Sequence, residues 1–170
     1  MSARFLRDGR IAVFHSTPDE QTLLSIVGLE GGHPKPLPLP GIDGYAGVAF
    51  SPDLTRAAYA GAERRIVIVP LAGGPSETVP DVVFGDCDHF SRWSRDGRFL
   101  IVQNLCEVPS RVDRIDVRTG ERTLWKDLAP TDRAGVVQIG SMRFTADESG
   151  YAFGYSRVIA SDLYVVEGLK

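Results

Sequence analysis

The apolar positions of this chain fall into short runs, such as Ile11-Ala12-Val13-Phe14, Ala57-Ala58-Tyr59, Phe99-Leu100-Ile101-Val102 and Tyr151-Ala152-Phe153. Runs of this length, rich in β-branched and aromatic residues and bounded by Gly, Asp, Pro and Ser, read as β-strands. A further strand follows each of them, at 23–27, 66–69, 112–117 and 163–166. Glycines then mark a turn at Gly31-Gly32, Gly73-Gly74 and Gly120. A short last strand follows around Pro36-Leu37, Glu77-Thr78-Val79 and Arg122-Thr123-Leu124. No stretch sustains a helical period. The pattern predicts an all-β protein.

The pattern also repeats. Arg4-Phe5-Leu6-Arg7-Asp8-Gly9-Arg10 and Arg92-Trp93-Ser94-Arg95-Asp96-Gly97-Arg98 agree at five of seven positions, and Phe50-Ser51-Pro52-Asp53 and Phe144-Thr145-Ala146-Asp147 are weaker copies. With Asp8, Asp53, Asp96 and Asp147 as register marks, the spacings are 45, 43 and 51 residues. A four-stranded propeller blade takes about 40 to 50 residues. The reading is a single β-propeller region over 1–170, with about four four-stranded antiparallel units at about 1–40, 41–84, 85–130 and 131–170, the last incomplete. An aromatic residue ends the first strand of each unit, three positions before the Asp. One Asp per unit is a fold signal, since such a side chain accepts hydrogen bonds from the turn backbone and Gly9 and Gly97 tolerate positive φ.

The motif aromatic-Ser-Pro-Asp, an apolar strand, then Ile-Val-Ile-Val or Leu-Tyr-Val-Val and Gly-Gly, resembles the WD40-like repeats of TolB-type β-propellers, with 50–74 the best copy. The final block, from Tyr155-Ser156-Arg157 through Leu163-Tyr164-Val165-Val166 to Lys170, resembles the carboxyl ends of propeller regions fused to bacterial eukaryotic-type serine/threonine protein kinases. The chain has no Gly-rich phosphate loop, no His-Arg-Asp loop and no Asp-Phe-Gly, so kinase activity would belong to an upstream domain. The ends favour the carboxyl-terminal part of a six- to eight-bladed propeller. A self-contained four-blade domain and two chains sharing an eight-bladed ring are the alternatives.

Composition narrows the function classes. The 170 residues are 43% hydrophobic and 24% charged, with 19 Lys+Arg against 22 Asp+Glu. That content excludes disorder. A net charge of −3 argues against a nucleic-acid partner. No apolar run approaches the length of a spanning helix, and no signal peptide is legible. The basic residues are 16 Arg and 3 Lys, dispersed along the chain among acids, which fits codon bias in a GC-rich genome. Location follows the parent protein, extracytoplasmic if the chain is the propeller of a membrane-anchored kinase and cytoplasmic otherwise.

Antiparallel pairing puts the Asp turns at one end of the blades and the longer loops, 15–21, 41–47, 84–91, 103–111, 126–140 and 156–161, at the other. This loop end is where a protein or small ligand is expected. The acids, bases and charge stabilisers nearest its mouth are Asp86, Asp88, His89, Glu107 and Arg157. Asp86-Cys87-Asp88-His89 carries metal-ligating types, but neighbours in an extended segment point to opposite sides and the spacing matches no standard zinc pattern. No metal and no cofactor are expected. The three histidines, His15, His33 and His89, fall in different units, and no Gly-x-Ser-x-Gly elbow occurs. If Ser94 faces Phe99 across the third turn, the same register sets Cys87 opposite Cys106, within disulfide reach. Two reduced cysteines are the alternative.

The sequence thus supports a non-catalytic interaction or sensing module, part of a kinase-linked or TolB-like protein. A hydrolase or other enzyme with its site at the channel mouth is the first alternative. The second is an oligomeric scaffold associating through open blade edges.

Overall fold

The computed structural model describes residues 2–19, 21–32, 36–145 and 149–159. Three four-stranded antiparallel sheets follow one another. The first is β1 (Ser2–Phe5), β2 (Ile11–Ser16), β3 (Thr22–Val27) and β4 (Leu37–Pro38). The second is β5 (Val48–Phe50), β6 (Arg56–Ala60), β7 (Arg65–Pro70) and β8 (Glu77–Val83), with one 3-10 turn, Ala62–Arg64, between β6 and β7. The third is β9 (Asp88–Trp93), β10 (Phe99–Asn104), β11 (Ser110–Asp116) and β12 (Arg122–Leu128). The fourth unit is a broken hairpin, in which β13 (Val136–Ile139) pairs with β16 (Tyr155–Arg157) and β14 (Arg143–Phe144) with β15 (Tyr151–Ala152). Gly140 N–H donates to Gly154 O at 2.8 Å where both strands break. The strand expected at 163–166, the fourth register Asp147 and His33 lie outside the described residues.

Each sheet packs face to face on the next. Leu6, Ala12, Leu24 and Leu39 meet Val48, Phe50, Ala57 and Tyr59. Ala58, Ala60, Ile66, Ile68 and Phe84 meet Phe90, Trp93, Leu100 and Val102. Ile101, Val112 and Leu128 meet Ile139 and Met142. Successive strand residues point to opposite faces, so a strand between two neighbours must be apolar on both. Hence Ala57 to Ala60 and Leu100 to Gln103 are buried without a break. Gln103 is the polar exception, and it is fully used: Nε2 donates to Ser110 Oγ at 2.9 Å and Gly140 O at 3.1 Å, and Oε1 accepts from Met142 N at 2.7 Å. No strand among the described residues joins the first sheet to the last to close the arc of units.

The turns between first and second strands share one chemistry. Ser51 Oγ donates to Asp53 Oδ1 at 2.6 Å and Ser94 Oγ to Asp96 Oδ1 at 2.6 Å, while each carboxylate also accepts the N–H two residues on, from Thr55 and Arg98. The first turn is one residue tighter, Leu6 N–H bonding Arg10 O where Ser94 N–H bonds Phe99 O. Lacking a hydroxyl at Leu6, it takes an Arg10 Nε bond at 2.5 Å to Asp8 instead. The Ser51 hydroxyl and the Thr55 N–H hold the Asp53 carboxyl down at about 2, from an ordinary 3.8. A carboxylate with a depressed folded value stabilises fully above its unfolded value, and that contribution disappears as pH falls through the folded one. Melting temperatures of wild type and Asp53→Asn should therefore converge as pH drops from about 4 to about 2, the wild type losing its advantage there. Parallel curves would show that the turn carboxylate contributes nothing.

The three inner seams share another feature. Arg4 lies over the Phe50 ring at 4.8 Å, Arg56 over Trp93 at 5.0 Å and Arg92 over Phe144 at 4.7 Å, so each sheet sets a guanidinium on the aromatic that ends the next sheet's first strand. Such a contact contributes about 0.5–1 kcal/mol at an accessible site. Phe5, the fourth of these aromatics, faces away from the second sheet and is 75% exposed.

Candidate functional site

At the loop end, side-chain links join the loops where the second and third sheets meet. Arg64, in the left-handed region at φ 56°, ends the turn between β6 and β7. Its Nε donates to Phe84 O at 2.8 Å, Nη1 to Asp43 Oδ2 at 2.9 Å and Nη2 to Gly85 O, and Asp86 Oδ1 lies 3.4 Å from Nε. One guanidinium thereby fastens the connectors that enter the second and third sheets. Tyr45, on the first connector, stays 53% exposed.

The second connector is fastened again by a disulfide between Cys87 and Cys106, whose Cα atoms are 5.6 Å apart. The pairing that brings them together differs from a uniform register. Leu100 faces Trp93 and Ile101 faces Arg92, but a bulge at Ser91 shifts the ladder so that Val102 faces Phe90 and Asn104 faces Asp88. Cys87 O then accepts from Leu105 N at 2.8 Å, and Cys106 lies one residue past the ladder, its N–H held by Asn104 Oδ1 at 2.9 Å. The bridge links the connector to the loop between β10 and β11.

Below it runs a buried ion network. The Asp88 carboxylate, whose side chain is 2% exposed, accepts from Gly85 N at 2.7 Å and from Arg122 Nη1 and Nη2 at 2.6 and 3.0 Å. Arg122 Nε continues to Asp113 at 2.6 Å, and Asp113 accepts from Arg111 Nε at 2.8 Å. Burial acts to lower the Arg122 value, but the hydrogen bonds to Asp88 and Asp113 outweigh it and raise it, so the guanidinium stays charged. Asp88 is thus a structural acid, tying β9 to β12 across the sheet.

The other sequence-nominated residues go to separate places. Asp86 is exposed beside Arg64, and Glu107 is exposed in the loop after the disulfide. Arg157 pairs with Asp132 at 2.9 Å inside the fourth unit. His89 is half-buried, edge-on to Tyr45 at 6.4 Å, with Nε2 3.3 Å from where a Cβ on Gly47 would sit. Burial, then the charge of Arg143, lowers its pKa, which keeps the imidazole neutral, and its buried Nδ1 has no hydrogen-bond partner among the described residues. Among the described residues no three of His, Cys, Asp and Glu gather as a metal-binding group, and no helix is long and apolar enough to cross a membrane.

A cavity of about 370 Å³ lies at the opposite end, among the Asp turns, between the third and fourth units. Phe99, Ile101, Trp125 and Phe144 form its apolar wall, and Arg92, Arg95 and Arg114 line it with Ser94 and Asp96. Arg64, Arg122, Trp125 and Arg114 carry no motif in the sequence; the folded chain gives them their partners, those of Arg122 and Arg114 within their own sheet.

No protein-family model matches the chain, and no curated protein matches it. Among solved structures, TolB from Acinetobacter baumannii superposes on 94% of this chain with a TM-score of 0.63 at 16% identity. The tricorn protease superposes on 89% with a TM-score of 0.53, also at 16% identity. The chain spans 38% of the TolB chain and 14% of the tricorn protease chain. At that identity the likeness is one of fold. The described units have the fold of β-propeller blades and make a partial propeller.

Proposed function

We propose that this chain is a non-catalytic propeller module that binds a protein partner through its loop end, at the junction of the second and third sheets. The observation that carries this reading is the double fastening of the loops there. Arg64 holds the connectors at Asp43, Phe84 and Gly85, and the disulfide holds the second of them to the 105–109 loop. Tyr45, Asp86, Glu107 and Val108 stand exposed on that platform. Ordering loops before binding removes an entropic cost that a partner would otherwise meet, and an exposed, rigidly based tyrosine is a residue type enriched at interfaces. The five acids and bases nominated at this end do not converge: Asp88 and Arg157 are held by separate partners, Asp86 lies beside Arg64, Glu107 stands exposed and His89 packs edge-on to Tyr45, which supports recognition over acid–base chemistry. Its place in a longer kinase-linked or TolB-like protein is part of the same proposal and rests on the resemblance of residues 50–74 and 155–170.

A photo-crosslinking residue at position 45 or 107, in the full-length parent protein expressed in its own cells, should trap one discrete protein. The same residue at position 119, in a turn at the other end, should trap none. The crosslink should also vanish in Cys87→Ser/Cys106→Ser. Trapping at 119 alone, or equal trapping at all three positions, would refute the loop-end assignment.

A further inference from the structure

We infer that the cavity between the third and fourth units binds a small planar carboxylate, its apolar body against Trp125 and Phe144 and its carboxylate on Arg114 and Arg95. This site is independent of the loop-end reading and lies at the other end of the sheets. Its volume, about 370 Å³, falls at the lower end of ligand-sized pockets, which are mostly apolar with a few placed polar groups.

The charge arrangement singles it out. Arg98, Arg111 and Arg122 of the third sheet each hold a carboxylate, Asp116 at 2.9 Å, Asp113 at 2.8 Å and Asp113 with Asp88 at 2.6 Å. Arg114 projects from the opposite face of β11, beside Ile101, and meets no carboxylate among the described residues. Its guanidinium instead lies over the Trp125 ring, 5.3 Å from the centroid. Stacking occupies the flat face of a guanidinium and leaves its N–H edge free for a bidentate carboxylate. Arg95, exposed in the turn, also has no carboxylate partner among the described residues. The one acid in the lining, Asp96, is already held by Ser94 Oγ at 2.6 Å and Arg98 N–H at 3.0 Å. Arg92, its guanidinium 4.7 Å over the Phe144 ring, adds to the wall on the fourth-unit side.

The probe is phenylacetate, added to the isotopically labelled chain and followed by the indole N–H resonances. Trp93 is buried with its N–H on Gly97 O, so it serves as the internal control for Trp125. Phenylacetate should shift the Trp125 signal saturably and leave Trp93 in place. Phenylacetamide, which lacks the charge, should bind about tenfold or more weakly, as should phenylacetate to Arg114→Gln. Arg95→Gln, in an exposed turn, supplies the same readout should Arg114→Gln fail to fold. No saturable shift, equal binding of the amide, or undiminished binding by the arginine variants would overturn the site. Inorganic phosphate competing as well as phenylacetate would overturn its aromatic half.

Discussion

Replacing Arg122 by Met is expected to lower stability by about 3–5 kcal/mol, a large share of what a domain of this size has to lose. The loss comes less from the missing attraction than from what remains. Asp88, 2% exposed, would keep a carboxylate in the sheet interior without a cation, and Asp113, 1% exposed, would keep only the half-exposed Arg111. Urea unfolding monitored by near-ultraviolet circular dichroism measures the change. Removing the charges together, in Asp88→Asn/Asp113→Asn/Arg122→Met, should recover much of the loss, because a paired network contributes little net stability compared with what breaking it costs. A single variant within about 1 kcal/mol of wild type would show that solvent reaches these carboxylates.

Opening the disulfide ranks second. Cys87 and Cys106 are 19 residues apart, and closing a loop of that size in the unfolded chain corresponds to about 3 kcal/mol. Cys87→Ser/Cys106→Ser should lose about that amount, and reductant should move the wild type to the same melting temperature. The effect should also be local. Amide exchange should rise most in the 84–88 connector and the 105–109 loop, because only hydrogen bonds, among them Leu105 N–H to Cys87 O, then hold the loop to the connector. A wild-type melt indifferent to reductant would contradict a stabilising bridge.

The repeated features of the fold were legible because a period announces itself. The aromatic three residues before each Asp marks the end of an inner strand, and the run that follows it marks the next strand, whatever the neighbours are. What depends on partners distant in the chain was not. The bulge at Ser91 moves the ladder of the third sheet by one residue, and no local signal in Phe90-Ser91-Arg92 separates a bulge from regular pairing. Asp88, nominated for the mouth of the channel, turns inward because Arg122, 34 residues later, waits there. Arg114 and Trp125 sit on adjacent strands and acquire meaning only when the fourth unit closes a cavity over them. This cavity consequently lies among the short, regular turns, away from the long and irregular loops that sequence reasoning favoured.

The seams between sheets bear on how such a protein can change length. Every interior seam joins a guanidinium on the outgoing side to an aromatic ring on the incoming side, yet the guanidinium comes from the first strand in Arg4 and Arg92 and from the second strand in Arg56. The chemistry of the joint is kept while its origin shifts. A unit duplicated or deleted in tandem therefore brings a joint that its new neighbour already fits, and the arc can grow or shrink by whole units without redesigning the rest. Phe5 presents the ring half of that joint outward, ready for the next addition on its side.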